Sequence, residues 1–500
     1  MRATFFIFTL FFLAACSSLN PVSREAEITN PSADSPLWSA IREIHPGDWQ
    51  VIFNNGPRAL DWRLKAIDAA TGSIDLQTFL WSSDTTGLLI EKHLIKAAER
   101  GVKVKLLVDD TFITEEDSFI TELMNHQNIE YRVFNPYKRR SDNLLTREIL
   151  NLSEFHRLNH RMHNKAMIVD KRLAIVGGRN LADEYFGLDE TVNFRDMELM
   201  VGGPAVVRIA DIFDNYWNNQ WSFPIEEIIQ LKPSSSDTKA QVNSASKNPQ
   251  LHEEVNQQAL VANFTMLVTD AYQGKVTVIA DDPPGANPAD TESAPVQLAT
   301  SLESYFSDAR ENIILVSAYL IPADNIENTI FNLVENGVSI QLLTNSIQSN
   351  NHLAAHSSYR NHITTLLKNG ADLHEIRIDA QDRARYILPP IESKSLALHA
   401  KVLIIDHDKT FIGSPNFDPR SLRMNTEMGL LIESEELNRA VRNDYAIDFN
   451  LDNAWRLALD ENDRVIWQSD EETRTNQPAA SFMQRIEDWF FAHLPIEAQM

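Results

Sequence analysis

Cysteine is almost missing from this chain. There is one in 500 residues, Cys16, which rules out an internal disulfide and any cysteine-based metal site. Basic charge is scarce too: 45 Lys and Arg stand against 70 Asp and Glu, a formal charge of −25. Such a surface repels a nucleic-acid backbone on average, so no nucleic-acid partner is expected. Long apolar runs are lacking beyond the first residues, and no later segment looks able to cross a bilayer. The apolar and charged fractions are those of a globular protein, and the length suits two or three compact units.

The one cysteine sits in an informative place. Arg2 is followed by Phe5-Phe6-Ile7-Phe8-Thr9-Leu10-Phe11-Phe12, too short for a comfortable span and ending in small residues, as a secretory signal does. Leu13-Ala14-Ala15-Cys16 resembles the lipobox of bacterial lipoproteins, in which the cysteine becomes the acylated N-terminus. Residues 1–15 are therefore expected to be a signal peptide, with Cys16 lipidated and the protein held at a membrane surface of the bacterial envelope, facing the periplasm. Ser17 after the cysteine favours the outer over the inner membrane. Residues 16–48, rich in Ser, Pro, Asn and Glu, predict a tether with little regular structure.

A polar stretch over residues 231–258 predicts a linker between two comparable halves, 49–230 and 259–450, with a C-terminal extension, 451–500, packing on the second. The halves repeat each other. Ser73–Leu80 alternates like a strand, Leu88–Arg100 has helical spacing, Gly101 stops the helix, and Val102–Val108 begins the next strand. Asn312–Tyr319, a helix through Asn332-Leu333-Val334, Gly337 and Val338–Leu343 follow the same order. The expected class is α/β: two duplicated α-β-α units about a pseudo-two-fold axis.

Each half carries HxKxxxxD, at His163-Lys165-Asp170 and at His399-Lys401-Asp406, and each histidine is followed 17 residues later by an asparagine. The first asparagine stands in Gly177-Gly178-Arg179-Asn180, the second in Gly413-Ser414-Pro415-Asn416. Residues i and i+2 of an extended segment share a face, so each histidine points with its lysine, and the following turn can bring the asparagine back to them. Two His, two Lys and two Asn converging in an acidic protein form a donor cluster suited to a phosphate group, with Asn180, Ser414 and Asn416 as candidate phosphate-binding residues.

The double motif resembles the phospholipase D superfamily over nearly all of the chain after the tether. The resemblance is sharper at Phe134-Asn135-Pro136, Arg157–Lys165, Gly413–Ser421 and Asn425-Thr426-Glu427-Met428-Gly429, which look like the C-type bacterial cardiolipin synthases. The lipobox and tether are not required by that likeness, and Pro415 departs from it at a position often aromatic or small. The resemblance implies one shared active site with no metal or cofactor, because fixed cations and amides serve the phosphodiester. It implies His163 as nucleophile, forming a phosphohistidine, and His399 as acid and base, with Lys165, Lys401, Asn180 and Asn416 on the non-bridging oxygens. It further implies a carboxylate from the opposite half on each histidine: Glu427 on His163 and Asp196 on His399. Asp170 and Asp406 complete the catalytic motif but lie one turn past the strand, where a salt-bridge or turn role suits them.

His156, His160 and His163, at i, i+4 and i+7, mimic a zinc cluster, but no HExxH pattern or spaced carboxylate completes it. Arg157, His160 and Arg161 are candidates for a basic approach to the site, and Phe482, Ile486, Trp489, Phe490 and Leu494 form an apolar stripe expected to pack on the body. The leading expectation is a monomeric phosphatidyltransferase on phospholipids such as phosphatidylglycerol and phosphatidylethanolamine. Hydrolysis to phosphatidic acid, a nuclease of the same fold and a non-catalytic lipid-binding lipoprotein are the alternatives.

Overall fold

The computed structural model describes residues 19–27, 35–113, 118–230, 251–252, 255–284, 296–322 and 324–493. Cys16, the signal segment, Leu494 and nearly all of the expected linker lie outside them.

The strands, in chain order, are β1 (Trp49–Phe53), β2 (Ser73–Thr78), β3 (Lys103–Asp109), β4 (Ile129–Phe134), β5 (Ala166–Val169), β6 (Leu173–Gly177), β7 (Val192–Arg195), β8 (Glu198–Gly202), β9 (Ser222–Pro224), β10 (Tyr272–Gln273) and β11 (Lys275–Ala280). There follow β12 (Asn312–Ser317), β13 (Ser339–Asn345), β14 (Asp372–Ile376), β15 (Ser395–Leu398), β16 (Lys401–Ile405), β17 (Lys409–Gly413), β18 (Met428–Glu433), β19 (Ala454–Leu459), β20 (Val465–Gln468) and β21 (Thr473–Arg474). The first sheet runs β10-β1-β8-β6-β5-β2-β3-β4-β9 and the second β11-β18-β17-β16-β12-β13-β14-β19-β20-β21. Eight strands correspond one to one, from β1 and β11 through to β9 and β19. In each sheet three parallel strands, β2-β3-β4 or β12-β13-β14, join an antiparallel block that carries the motif strand, β5 or β16. Gly101 and Gly337, at φ 94° and 87°, end the two equivalent helices in the left-handed conformation that glycine takes without steric cost.

The motif strands are buried throughout and apolar apart from Lys401 at the start of β16, as strands covered on both faces must be. Ile168, Val176, Leu199 and Trp217 of the first half share one core with Val402, Ile404, Ile412 and Tyr445 of the second. The halves therefore fold against each other, and β7 pairs in parallel with β15 across their boundary.

Three segments differ from the sequence-based expectation. The expected tether contains a helix, Pro36–Ile44, because Ser35 caps it, Pro36 fits its first turn, and Leu37, Trp38 and Ile41 give it a face to bury. Upstream of that helix, Arg24 and Glu27 ion-pair with Glu227 and Arg132 of the first half. Helix Gln257–Thr269, expected to open the second half, instead buries Leu260, Phe264 and Val268 in the first-half core, with Phe264 edge-on to Trp62 at 5.1 Å. At the C-terminus, β19 extends the second sheet through β14. Helix Phe482–Phe491 docks on helix Leu353–Arg360, but through the buried Asp488, which accepts from His356 and Ser357, rather than through its apolar stripe. Phe482, Trp489 and Phe490 stay exposed.

Candidate active site

The two histidines are delivered by matching backbone devices. The N–H of His163 donates to the carbonyl of Thr426 at 2.9 Å, and that of His399 to the carbonyl of Arg195 at 2.9 Å. The residue after each acceptor is a carboxylate that reaches the same histidine. His163 Nδ1 lies 2.9 Å and 3.0 Å from the oxygens of Glu427, and His399 Nδ1 lies 2.7 Å from Asp196 Oδ2. Each ring is also fixed edge-on by an aromatic, Phe79 at 5.0 Å for His163 and Tyr185 at 4.9 Å for His399. With Nδ1 engaged, Nε2 is the nitrogen left for chemistry.

Each lysine folds back on its own motif. Lys165 Nζ donates to the His163 carbonyl at 2.7 Å, and Lys401 Nζ donates to the His399 carbonyl. Both lysines are buried. Burial drives Lys165 down to about 7, against the pull of Glu427 and helped by Lys401. It drives Lys401 down to about 8 against Asp196 and Glu427. Burial likewise holds His163 and His399 well below the ordinary histidine range, with the lysine charges adding to it. The carboxylates diverge. Burial pushes Glu427 up to about 7, only partly offset by Lys165. In Asp196 burial is outweighed by the hydrogen bond and charge of His399 and by Lys401, so its carboxyl falls below the usual range.

The turns after β6 and β17 surround the two carboxylates differently. A Cβ on Gly178 would lie 2.7 Å from Asp196 Oδ1, so nothing larger than glycine fits there. Asp196 instead accepts from the Met197 N–H at 2.7 Å. In the second half Ser414 stands at the matching position. Its Oγ donates to Glu427 and accepts from the Met428 N–H at 3.0 Å, so Ser414 faces the carboxylate and not the cavity wall.

Asn180 and Asn416 do reach that wall, and the Oδ1 of each is buried without a hydrogen-bond partner. A native buried amide in that state has its partner supplied from elsewhere, here the cavity. Asn180 Nδ2 donates to Tyr185 Oη at 2.8 Å. The cavity, about 510 Å³, is walled by His163, His399 and the two asparagines, with Tyr185, Phe194, Tyr319 and Arg420 among its other lining residues.

Asp170 and Asp406 are not part of this constellation. Both sit at the far end of the motif strand, at φ 54° and 48°, in a conformation that Asp tolerates better than most residues. Asp170 accepts from the N–H groups of Thr71, Gly72 and Ser73 and from Trp38 Nε1. Asp406 accepts from those of Arg310, Glu311 and Asn312. Seven residues of near-extended chain separate each from its histidine, roughly 20 Å. They tie the motif strand to the start of its neighbour, which corrects their placement among the catalytic residues.

One other expectation changes. Arg157 is engaged by Glu154 and Asn135, and Arg161 pairs with Asp109 at 3.5 Å, so neither arginine serves as a loose basic approach. His160 Nδ1 meets the Met424 carbonyl at 2.6 Å, while His163 Nδ1 meets Glu427, so these two histidines turn to separate partners.

Sequence reasoning missed the aromatic walls Phe79, Tyr185 and Phe194, and it missed Arg179. The buried Arg179 guanidinium donates to the carbonyls of Phe53, Tyr185 and Asp196, binding the asparagine loop to the carboxylate strand. A charged residue between Gly178 and Asn180 was the available signal.

Comparison with known proteins agrees with this geometry. A family model described as "Cardiolipin synthase, PLD-like domain" matches residues 64–217 and 302–448, one segment per half. Cardiolipin synthase C of Escherichia coli K12 is 32% identical over 93% of this chain and 98% of its own length. A cardiolipin synthase of Alkalihalophilus pseudofirmus is 24% identical over 82% of this chain and 68% of its own. Among solved structures, the phosphatidylserine synthase of Haemophilus influenzae Rd KW20 superposes with a TM-score of 0.55 at 12% identity, covering 85% of this chain and 92% of that one, which shows a common fold. Two motif-bearing halves closing on one cavity, matched half by half, place the chain in the cardiolipin synthase family of phospholipase D-like proteins.

Proposed function

We propose that this protein transfers a phosphatidyl group between alcohols, through a phosphohistidine, at the cavity shared by its two halves. The observation that carries the reading is the crossed pairing: each cavity histidine has its Nδ1 on a carboxylate of the opposite half. That arrangement orients two Nε2 atoms and needs both halves at once.

Chemically, His163 Nε2 attacks phosphorus, and the bond to the departing alcohol oxygen breaks as His399 gives that oxygen a proton. The acceptor hydroxyl then loses its proton to His399 and attacks phosphorus, and the P–N bond breaks. The unequal carboxylates support this division. Asp196, held ionised, stabilises an imidazolium on His399 when the phosphate brings negative charge into the site. Glu427, pushed up to about 7, leaves His163 neutral, the form that attacks. Lys165, Lys401 and the two asparagine amides hold the non-bridging oxygens. Ser414 acts through Glu427. One chain supplies both motifs, so a monomer suffices.

The lipid substrate rests on the named relatives and on the surface around the cavity. Leu145, Ile149, Leu152 and Phe155 are 66, 57, 61 and 51% exposed, and Phe155 also lines the cavity. Apolar side chains at the mouth of a phosphate-binding cavity suit a bilayer surface. No helix among the described residues is long and apolar enough to cross a membrane. Attachment through an acylated Cys16 after loss of residues 1–15, in the outer membrane, is the mode the sequence supports.

Incubation of the purified protein with phosphatidylglycerol and phosphatidylethanolamine vesicles tests the reading. Cardiolipin is expected, lost in His163→Ala and His399→Ala. Phosphatidic acid alone would move the reading to hydrolysis, and no turnover of either lipid would end it.

A further inference from the structure

Away from the cavity, three segments bring two histidines and two aspartates together. Helix Gly56–Ala69 carries Asp61 and Asp68, seven residues apart and so on one face. Helix Thr85–Glu99 contributes His93, and the chain returning from between the halves contributes His252. His93 Nδ1 lies 2.7 Å from Asp68 Oδ1, and His252 Nδ1 lies 3.0 Å from Asp61 Oδ1. The imidazoles meet edge to face at 4.9 Å, and their side chains are only 3% and 5% exposed.

The unusual atom is His252 Nε2. It is buried without a hydrogen-bond partner, although it faces Asp68 Oδ2 at 3.5 Å. One ligand atom each from Asp68, His93 and His252 falls within 4.8 Å of the others. In a tetrahedral zinc site with bonds of about 2.0–2.1 Å the ligand atoms stand roughly 3.3 Å apart, so a shift of an ångström or so closes the cluster around an ion.

We propose that Asp68, His93 and His252 form a divalent metal site of zinc type, bound by His93 Nδ1, His252 Nε2 and the Asp68 carboxylate with water in the fourth position. Two imidazoles and one carboxylate suit a borderline ion such as Zn²⁺ better than Mg²⁺ or Ca²⁺. The second shell is already in place. Asp61 takes the other nitrogen of His252, as an outer carboxylate does for a metal-bound histidine, and is itself paired with Lys65 at 2.7 Å. None of the three ligands lines the catalytic cavity. The ion would fasten the chain that links the halves onto the first half, just before helix Gln257–Thr269 enters its core. It has no part in the transfer reaction.

The full-length protein, stripped with chelator and dialysed, is titrated with Zn²⁺ by calorimetry near pH 8. One equivalent is expected to bind and to raise Tm, and Co²⁺ is expected to give the visible bands of a tetrahedral site. His252→Ala lies on the connecting chain and should fold; it is expected to weaken Zn²⁺ binding by at least about 100-fold. His93→Ala should do the same, while Lys65→Ala keeps the stoichiometry. No stoichiometric binding by the wild type, or undiminished binding by His252→Ala, overturns the proposal. The cluster is then an ion-paired latch of His252 with Asp61 and Asp68.

Discussion

Glu427 is held to His163 at two points: the carbonyl just before it accepts the His163 N–H at 2.9 Å, and its carboxyl meets the same residue's Nδ1 at 2.9 Å. A side chain gripped through its partner's backbone has little freedom to reorient. Glu427→Gln keeps the shape but presents an amide that can face Nδ1 with an N–H, misplacing the imidazole proton. Turnover is expected to drop about 10²–10⁴-fold with Tm little changed, because loss of an orienting carboxylate acts on the histidine's tautomer. A loss under tenfold would mean that Glu427 only packs.

The two histidines are separable by trapping. With a phosphodiester whose leaving group needs no proton, such as a nitrophenol ester, His399→Ala should still form the P–N bond but release it slowly. Peptide mass spectrometry should find the adduct on His163. An adduct on His399 in the His163→Ala variant would reverse the assignment.

A lysine whose pKa is lowered carries its charge only below that value. Lys165 and Lys401, at about 7 and about 8, therefore lose charge in the free protein as pH rises through this range. Since kcat/KM follows ionisations of the free enzyme, it should fall above about pH 8. Lys401→Arg keeps its charge at every accessible pH, so it should flatten its share of that limb while lowering the maximum. An alkaline limb identical in the variant and the wild type would remove Lys401 from the pH dependence.

The duplicated strand–helix–strand order was legible because each unit is local: Gly101 and Gly337 stop their helices by their own backbone freedom. Strand geometry put His163 with Lys165, since i and i+2 of an extended segment share a face, whereas the pairing of His163 with Glu427 came from the family resemblance alone. Other features were hidden because they arise only when distant segments meet. Tyr185 becomes a wall for His399 through a loop that Arg179 ties to Phe53 and Asp196. Trp38 looked like part of a polar tether until Asp170, 132 residues away, accepted its indole N–H. Helix Gln257–Thr269 reads as belonging to the half that follows it, and only Trp62 and the rest of the first core show otherwise.

Asp170 should behave as a support. Hydrogen bonds from Ser73, Trp38 and Thr71 hold its carboxyl below the usual range despite burial. A depressed folded-state value stabilises the protein above the unfolded pKa near 4, and that stability is lost as pH falls through the folded value. Asp170→Ala leaves several buried N–H donors without an acceptor and should cost about 2–4 kcal/mol of stability, read as a fall in Tm. At a temperature where the variant is folded, kcat should stay within about tenfold of wild type. A larger drop at full folding would return Asp170 to the chemistry.

The rim of the cavity gives the last prediction. Leu145, Ile149, Leu152 and Phe155 crowd into eleven residues of a chain with a formal charge of −25, beside a cavity whose lining includes Arg161 and Arg420. Burying one such side chain in a bilayer yields roughly 1.5–3 kcal/mol before ordering costs. Replacing Ile149 and Leu152 by Ser removes two exposed anchors that do not line the cavity. Binding of the protein lacking residues 1–18 to phosphatidylglycerol vesicles should then weaken about 100-fold or more, since two such side chains amount to at least about 3 kcal/mol and each 1.4 kcal/mol is a factor of ten. Turnover of a short-chain lipid below its micellar limit should be unchanged, because that substrate reaches the cavity from water. If both activities fall together, the rim shapes the cavity; if neither falls, the membrane is met elsewhere, and the exposed Phe482, Trp489 and Phe490 become the face to replace.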